Sequence, residues 1–204
     1  MIKTKEWAES LAINTEDILP PAEDFNEQYK RTAEEVAVRT IILHAVAAAG
    51  DGLDRTALVK WLEEQNLWAN ASPREQTFLL SQKLFREDLS GALWVLEAQW
   101  AFLWTIQKTE SLGLPNKTCD THRIINEIMP VPGDETEAFI TSAELRNAPE
   151  LRAEEERTDK LYYAYQNGEE ADLPEDLIFP VLLQRQYAFN WLSCEDDWDN
   201  VKTE

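Results

Sequence analysis

Two segments of the chain are almost free of charge, and they constrain the fold more than any other feature of the sequence. Residues 40–49 contain no charged side chain, and between residues 89 and 107 the only charge is Glu97. A helix that is apolar on all sides is normally surrounded by other helices or by lipid. The second segment is long enough to span a bilayer, but a carboxylate at mid-span costs at least about 2.5 kcal/mol. We therefore expect two buried core helices and no membrane insertion.

Further helix signals surround the two segments. Thr32–Glu35 and Ser72–Glu75 both have the Ser/Thr-x-x-Glu form of a capping box, which is typical of a helix N-terminus. No stretch shows the alternating pattern and hairpin turns of a β-sheet. The apolar spacing predicts helices over residues 33–49, 73–85, 89–107, 135–147, 150–166 and 177–193, with shorter helices through Leu58–Leu62 and around 121–129.

These signals together predict an all-α fold. We expect a single-domain irregular helical bundle of roughly seven to eight helices with two central apolar helices. Residues 1–30 are predicted to form an N-terminal arm with a short helix, residues 31–194 the helical domain, and residues 195–204 an acidic C-terminal tail. A chain of 204 residues buries roughly 70% of its unfolded surface, which is enough for one core.

The charge balance argues against one large class of partners. The chain has 39 Asp and Glu against 19 Lys and Arg, which gives a formal charge of −20. Such a surface repels phosphate unless basic residues cluster, so no nucleic-acid partner is predicted. The residues Met1–Trp7 lack the apolar core of a signal peptide, and two cysteines do not make a disulfide framework. We expect a cytoplasmic protein with reduced thiols.

The order of several motifs resembles a known bacterial family. The motifs are Arg31-Thr32, Arg39, Trp61-Leu62, Ser72-x-x-Glu75, Trp94-x-x-Glu97-Ala98, Leu103-Trp104, Arg185-x-x-Ala188-x-Asn190-Trp191-Leu192 and Trp198-Asp199-x-Val201-x-Thr203. From Arg31 onward the chain is similar to the bacterial domain-of-unknown-function family 4272, although Val95 and Gln184 stand where the family pattern tends to have Arg and Glu. The resemblance implies a bacterial, cytoplasmic, mostly helical protein, and it implies no chemistry.

Glu97 is the first candidate for a functional site. It shares a helix face with tryptophans three residues before and after it. A carboxylate among aromatic rings either pairs with a cation or has its pKa raised by desolvation. We favour a buried ion pair with Arg39 or Arg185, because structural networks perturb carboxylates as readily as catalysis does. The alternative is a hydrolase-type pocket around Glu97, Arg39, Arg185 and His44, with Glu97 as general acid or base.

No metal site and no cofactor are predicted. Cys119-x-x-His122 has ligand-like spacing, and Cys194 with His44 would complete four zinc ligands. However, His44 lies within an apolar helix, and a ligand pair is present at only one end. The acidic run at 195–199 lacks the glycine turn and distal Glu of a calcium loop. The sequence contains neither a nucleophile elbow nor a glycine-rich phosphate loop.

The favoured function is a non-catalytic interaction protein that presents an acidic surface to a basic protein partner, with an immunity-like inhibitor as the concrete form. Charge of this kind speeds encounter, and Trp and Tyr are favoured in binding hot spots. The candidate partner-binding residues are Trp198, Asp196, Asp197, Asp199, Tyr162, Tyr163, Glu154 and Glu155. For Trp198 the alternative to an exposed anchor is that it folds back as a plug against the bundle. For the function, the alternative beside the hydrolase is a homo-oligomer whose seam is helix 33–49 or 89–107.

Overall fold

The computed structural model describes residues 29–169 and 173–203. In these ranges the chain forms eight α-helices and no strand, which confirms the predicted all-α class. The helices are α1 (Ala33–Gly50), α2 (Arg55–Glu64), α3 (Pro73–Leu80), α4 (Arg86–Thr105), α5 (Thr121–Arg123), α6 (Glu137–Thr141), α7 (Ala148–Asn167) and α8 (Phe179–Ser193). None of the described helices is long and apolar enough to cross a membrane. The helix predicted within residues 1–30 falls outside the described part, which begins at residue 29.

The two charge-poor segments form the centre of the bundle, as predicted. All residues from 39 to 47 and from 97 to 106 are buried. The helices α1 and α4 run antiparallel. At one end the Gln99 side chain donates a hydrogen bond to the Thr40 carbonyl at 3.3 Å, and at the other end Gly50 lies against Ala92. Helix α4 also packs against α8, and α8 packs against α7.

The capping signals locate two helix starts correctly. The Thr32 hydroxyl accepts a hydrogen bond from the Glu35 backbone, and the Glu35 carboxylate accepts one from the Thr32 backbone. Ser72 and Glu75 form the same pair at the start of α3. The helix ends are less well predicted, since α3 stops before Phe85, which is exposed.

Helix α6 is much shorter than the predicted helix over 135–147. The reason is a competing contact made by Arg146. Its backbone N–H donates to the Thr105 carbonyl, and its guanidinium donates to the Trp104 carbonyl. Both carbonyls lie at the C-terminus of α4, where a helix leaves acceptors without partners. The residues around Arg146 therefore serve as a cap for α4 instead of continuing α6.

The C-terminal residues pack against the bundle to a greater extent than a solvated tail would. Trp198 is buried at the start of a short 3₁₀ turn (Trp198–Asn200). The Asn190 side chain donates to the Lys202 carbonyl at 2.6 Å, and the Tyr162 hydroxyl donates to the Thr203 carbonyl at 3.1 Å. The acidic residues 195–197 remain exposed.

Gly50 offers a direct test of the contact between α1 and α4. A Cβ atom at this position would lie 2.9 Å from the Ala92 Cβ and 3.3 Å from the Leu89 carbonyl oxygen. We expect Gly50→Ala to destabilise the protein by about 1 kcal/mol, because overpacking costs about 1–3 kcal/mol and outweighs the helix propensity gained, at most about 1 kcal/mol. Urea unfolding measures the difference.

Gly91 is the matched control, since it lies within α4 and a Cβ there meets no described atom within 4 Å. Gly91→Ala is expected to stabilise the protein by up to about 1 kcal/mol. Equal stabilisation by both substitutions would contradict the close approach of the two helices at Gly50.

Candidate functional site

A cleft of about 590 Å³ opens beside the α1–α4 pair, and this volume is within the range of small-molecule pockets. A third wall comes from the segment 118–132, which contains α5 and a π-helical turn at Ile124–Ile128. π-Helical turns are rare in proteins, and many of those that occur lie at functional sites. The lining residues are His44, Ala47, Ala48, Asp51, Leu53, Ser90, Leu93, Trp94, Leu96, Glu97, Thr118, Cys119, Thr121, Ile125 and Pro132.

Apolar side chains surround the opening of the cleft. Leu93 is 39% exposed, Leu53 45% and Ile125 46%. Val131, next to the lining residue Pro132, is also exposed. Single exposed apolar residues are ordinary, but several around one opening are typical of a binding site.

Glu97 lines the cleft although only 2% of the residue is exposed. Its Oε1 accepts a hydrogen bond from the Cys119 backbone N–H at 2.7 Å. Its Oε2 has no hydrogen-bond partner among the described residues. Burial raises the pKa of Glu97, and the Cys119 N–H and the charge of Arg185 offset part of that rise. The cleft thus contains a carboxyl group with one oxygen that the described protein does not use.

His44 lies on α1 at the level of Glu97 on α4, given the contacts that align the two helices. It is 4% exposed, and its Nδ1 has no partner in the described part of the chain. Burial lowers the pKa of His44 to about 4. The imidazole is therefore neutral at about pH 7, and it adds no positive charge to the cleft.

The burial of His44 predicts that the fold loses stability in acid. The histidine has a pKa of 6.5 as a model group and of about 4 in the folded protein, so on acidification the unfolded chain takes up a proton first. The stabilisation is fully present above about pH 6.5 and is lost as the pH falls to about 4. One pKa unit corresponds to about 1.4 kcal/mol, so the loss is up to about 3 kcal/mol. Urea unfolding of the wild type and of His44→Asn across this range measures it.

The His44→Asn variant is needed because buried carboxyl groups change the stability in the opposite direction on acidification. Burial raises the pKa of Glu97, Glu154 and Glu155, so these groups take up protons in the folded state first and stabilise it as the pH falls. They are present in both proteins, and their effect cancels in the difference. A difference between wild type and variant that does not change with pH would contradict the burial of a neutral His44.

Cys119 contributes its backbone more than its thiol. The thiol makes a weak contact with the Leu96 carbonyl at 3.7 Å. Burial and then the nearby Glu97 charge raise the pKa of this thiol, so it stays protonated and is a poor nucleophile. Among the described residues no group of three or more His, Cys, Asp or Glu is placed to hold a metal ion. The cleft therefore offers a ligand the Glu97 carboxyl, which can accept a hydrogen bond or hold a proton.

The structure corrects the predicted ion pair of Glu97 with Arg39 or Arg185. Arg39 pairs with Glu75, with 2.6 Å between Nη2 and Oε2. The Arg185 guanidinium donates to the carbonyls of residues 112–113 at 3.2 and 2.8 Å and forms no ion pair with Glu97 within 4.0 Å. For Arg39 the reason is the register of α1 against α4: the contacts of Thr40 with Gln99 and of Gly50 with Ala92 place Arg39 about one helical turn away from the level of Glu97. Neither arginine lines the cleft.

The predicted partner-binding residues fall into three groups. Trp198, Tyr162 and Glu154 are buried, which corrects their expected role at a surface. Trp198 packs against the bundle, as in the alternative stated for it above. Two others form hydrogen bonds within the fold: Asp199 with Ser72 and the Arg74 backbone, and Glu155 with Tyr29 and Ser193. Asp196, Asp197 and Tyr163 are exposed.

One comparison with known proteins gives a match. The family model described as Domain of unknown function (DUF4272) matches residues 3–201 of the chain. The chain belongs to the DUF4272 family. The resemblance drawn from the motif order is confirmed, and the match begins well before Arg31. No curated protein and no solved structure matches the chain.

Proposed function

We propose that this DUF4272 protein binds a small organic molecule in the cleft beside α1 and α4. The observation that carries the proposal is a pair of buried polar atoms, Glu97 Oε2 and His44 Nδ1, which have no partner among the described residues and whose side chains line one cleft. Buried polar atoms are nearly always hydrogen-bonded. A few polar groups within an apolar pocket are typical of ligand sites.

The two parts of the cleft have separate roles in this proposal. The apolar rim of Leu53, Leu93 and Ile125 supplies affinity, because each Å² of apolar surface removed from water contributes about 25 cal/mol. The polar floor of Glu97 and His44 supplies orientation, since an unmatched ligand group leaves these atoms without a partner. A ligand that has an apolar body and a polar end that hydrogen-bonds to both atoms satisfies both parts.

The proposal is tested by screening small organic fragments against protein labelled with ¹⁵N at the tryptophan indole groups. Trp94 lines the cleft, and a Trp94→Phe variant assigns its signal. We expect fragments that bind to shift the Trp94 signal, and we expect Ser90→Trp, which places a large side chain at the cleft wall, to abolish the shift.

Ser111→Trp is the matched control, because Ser111 is exposed and does not line the cleft. This variant is expected to bind fragments like the wild type. If no fragment shifts the Trp94 signal, or if Ser90→Trp and Ser111→Trp behave alike, the proposed binding site is wrong.

A second candidate is the interaction protein with a basic protein partner in the bacterial cytoplasm, with an immunity-like inhibitor as its concrete form. The observation that favours it is the exposed acidic run 195–197, whose backbone is held in place. Arg31 donates to the Trp191 carbonyl before the run and to the Asp196 carbonyl within it, and Trp198 directly after the run is buried. An acidic surface held in place in this way favours fast, salt-dependent encounter.

Capture of partners from a bacterial lysate at low and high salt tests this candidate. We expect a basic protein to be retained at low salt and released at high salt, and a variant with Glu195, Asp196 and Asp197 all changed to Asn to lose it. A variant with Glu63→Gln and Glu64→Gln, which removes exposed carboxylates from α2, is expected to retain the partner. Retention by all three proteins, or by none, overturns the candidate.

The other two alternatives are a hydrolase and a homo-oligomer. A hydrolase with Glu97 as general acid or base would use the same cleft without Arg39 or Arg185. Most apolar residues of helices 33–49 and 89–107 are buried or half-buried within one chain, where the two helices pack against each other and the second packs against α8. Few of them, Leu93 among these, are exposed to form a homo-oligomer seam.

A further inference from the structure

We infer that the ligand of the cleft is an organic amine: a positively charged ammonium group attached to an apolar, preferably aromatic, body. This inference rests on the proposed function and adds the chemical class of the ligand. It is drawn from the charges that line the cleft, from the indole ring of Trp94 in its wall and from the carboxyl oxygen that the described protein leaves without a partner.

Among the described residues, the charged groups of the lining are acidic. Glu97 lies in the cleft and Asp51 is an exposed residue that also lines it, and no Lys or Arg of residues 29–169 and 173–203 is among the lining residues. A buried carboxylate has a large desolvation cost unless a cation or several donors compensate it. An ammonium group placed against Glu97 Oε2 provides both the charge and the hydrogen bond.

The wall of the cleft suits the rest of such a molecule. Trp94 is the aromatic residue that lines it, and an ammonium or its neighbouring CH₂ groups are attracted to the face of an indole. Leu53, Leu93 and Ile125 offer apolar contacts at the opening. In order of increasing exposure, the lining groups are the Glu97 carboxyl, the Trp94 indole and the aliphatic side chains of the rim.

The charges that face Glu97 from the neighbouring elements do not replace the cation. Arg185 of α8 acts on Glu97 only from beyond 4.0 Å, and both of its Nη atoms are engaged by backbone carbonyls. His44 of α1 is neutral because burial lowers its pKa to about 4. Cys119 of the third wall is a protonated thiol, since burial raises its pKa. Asp51, after α1, adds a second negative charge.

The experiment compares three probes with the same apolar body and different end groups: 2-phenylethylamine, 2-phenylethanol and 3-phenylpropionate. Each is titrated into the full-length protein while the Trp94 indole signal is followed. We expect the amine to bind at least about tenfold more tightly than the alcohol and the carboxylate. We also expect its affinity to increase as the pH rises, because burial raises the pKa of Glu97 and this group must be ionised to pair with the amine, while the affinity for the alcohol stays nearly constant.

Glu97→Gln tests the role of the carboxylate with little change of volume. We expect the amine to lose at least about tenfold in affinity and the alcohol to lose little. Asp51→Asn, at the exposed position, is expected to have a smaller effect on the amine, and Glu64→Gln, outside the cleft, none. The comparison of probes on the wild type needs no variant, so the inference stays testable if Glu97→Gln does not fold.

The outcomes separate the inference from the proposed function. If the alcohol or the carboxylate shifts the Trp94 signal as strongly as the amine does, the cleft binds ligands but the amine class is wrong. If none of the three probes binds while other fragments do, the amine class is also wrong. If neither these probes nor any other fragment binds, both the inference and the proposed function are overturned.

Discussion

Replacing Glu75 by glutamine is expected to destabilise the protein by about 3–5 kcal/mol, because it leaves the charge of Arg39 buried without a counter-ion. The two side chains are 5% and 8% exposed, and their Nη2 and Oε2 atoms are 2.6 Å apart. Burial lowers the pKa of Arg39, and Glu75 offsets that effect. Glutamine is accepted at this position of a capping box, so the start of α3 is preserved. Urea unfolding measures the change in unfolding free energy.

An exposed ion pair provides the control. Lys60 and Glu64 are 3.5 Å apart with side chains 72% and 58% exposed, and Glu64→Gln is expected to change stability by less than about 0.5 kcal/mol. The double variant Arg39→Met with Glu75→Gln removes both buried charges and should recover at least about 1 kcal/mol of the loss. If Glu75→Gln costs no more than Glu64→Gln, the buried pair does not stabilise the fold.

The burial of Arg39 was predictable from the sequence, but its partner was not. Arg39 lies in an apolar segment, and an arginine there requires an acidic partner. The position of Glu75 was explained by the capping box that it forms with Ser72. Nothing further in the sequence indicated that Glu75 also pairs with Arg39. The partner of a buried charge depends on the register between helices, which local sequence patterns do not contain.

The cleft was predicted in part. Glu97 and His44 were candidates because each interrupts an apolar segment, and the structure places both of them in its wall. The exposure of the rim residues Leu53, Leu93 and Ile125 could not be predicted, because an exposed apolar residue has the same sequence pattern as a buried one. The hydrogen bond from Cys119 was equally hidden, since it comes from the backbone and any residue type can donate it.

The C-terminal segment shows how a charge pattern can conceal a packed residue. Four of the five residues 195–199 are acidic, which is typical of a solvated segment, and this remains true of residues 195–197. Trp198 was the one contrary signal, and both of its interpretations were consistent with the sequence. The aromatic contacts that decide between them come from Phe102 of α4, which is far away along the chain, and from Trp191 of α8, which precedes Trp198 by seven residues.

Truncation of Trp198 to alanine is expected to destabilise the protein by about 3–5 kcal/mol, which is the usual cost of removing a large buried aromatic side chain. Its ring lies 4.7 Å from Tyr187, 5.9 Å from Trp191 and 5.8 Å from Phe102, measured between ring centroids. The Arg39 guanidinium lies 5.1 Å from the same ring, so the cavity also removes contacts from the buried ion pair. Thermal and urea unfolding both report the change.

Two controls separate the packing of Trp198 from the charge of its neighbours. Tyr163 is 65% exposed, so Tyr163→Ala removes an aromatic ring at small cost, within about 0.5 kcal/mol. The pair Asp196→Asn and Asp197→Asn removes exposed charge and is expected to leave stability nearly unchanged for the same reason. Trp198→Phe should retain part of what alanine loses, because a smaller ring still fills some of the space between α4 and α8. Equal stability of Trp198→Ala and Tyr163→Ala would show that the C-terminal segment does not dock on the bundle in solution.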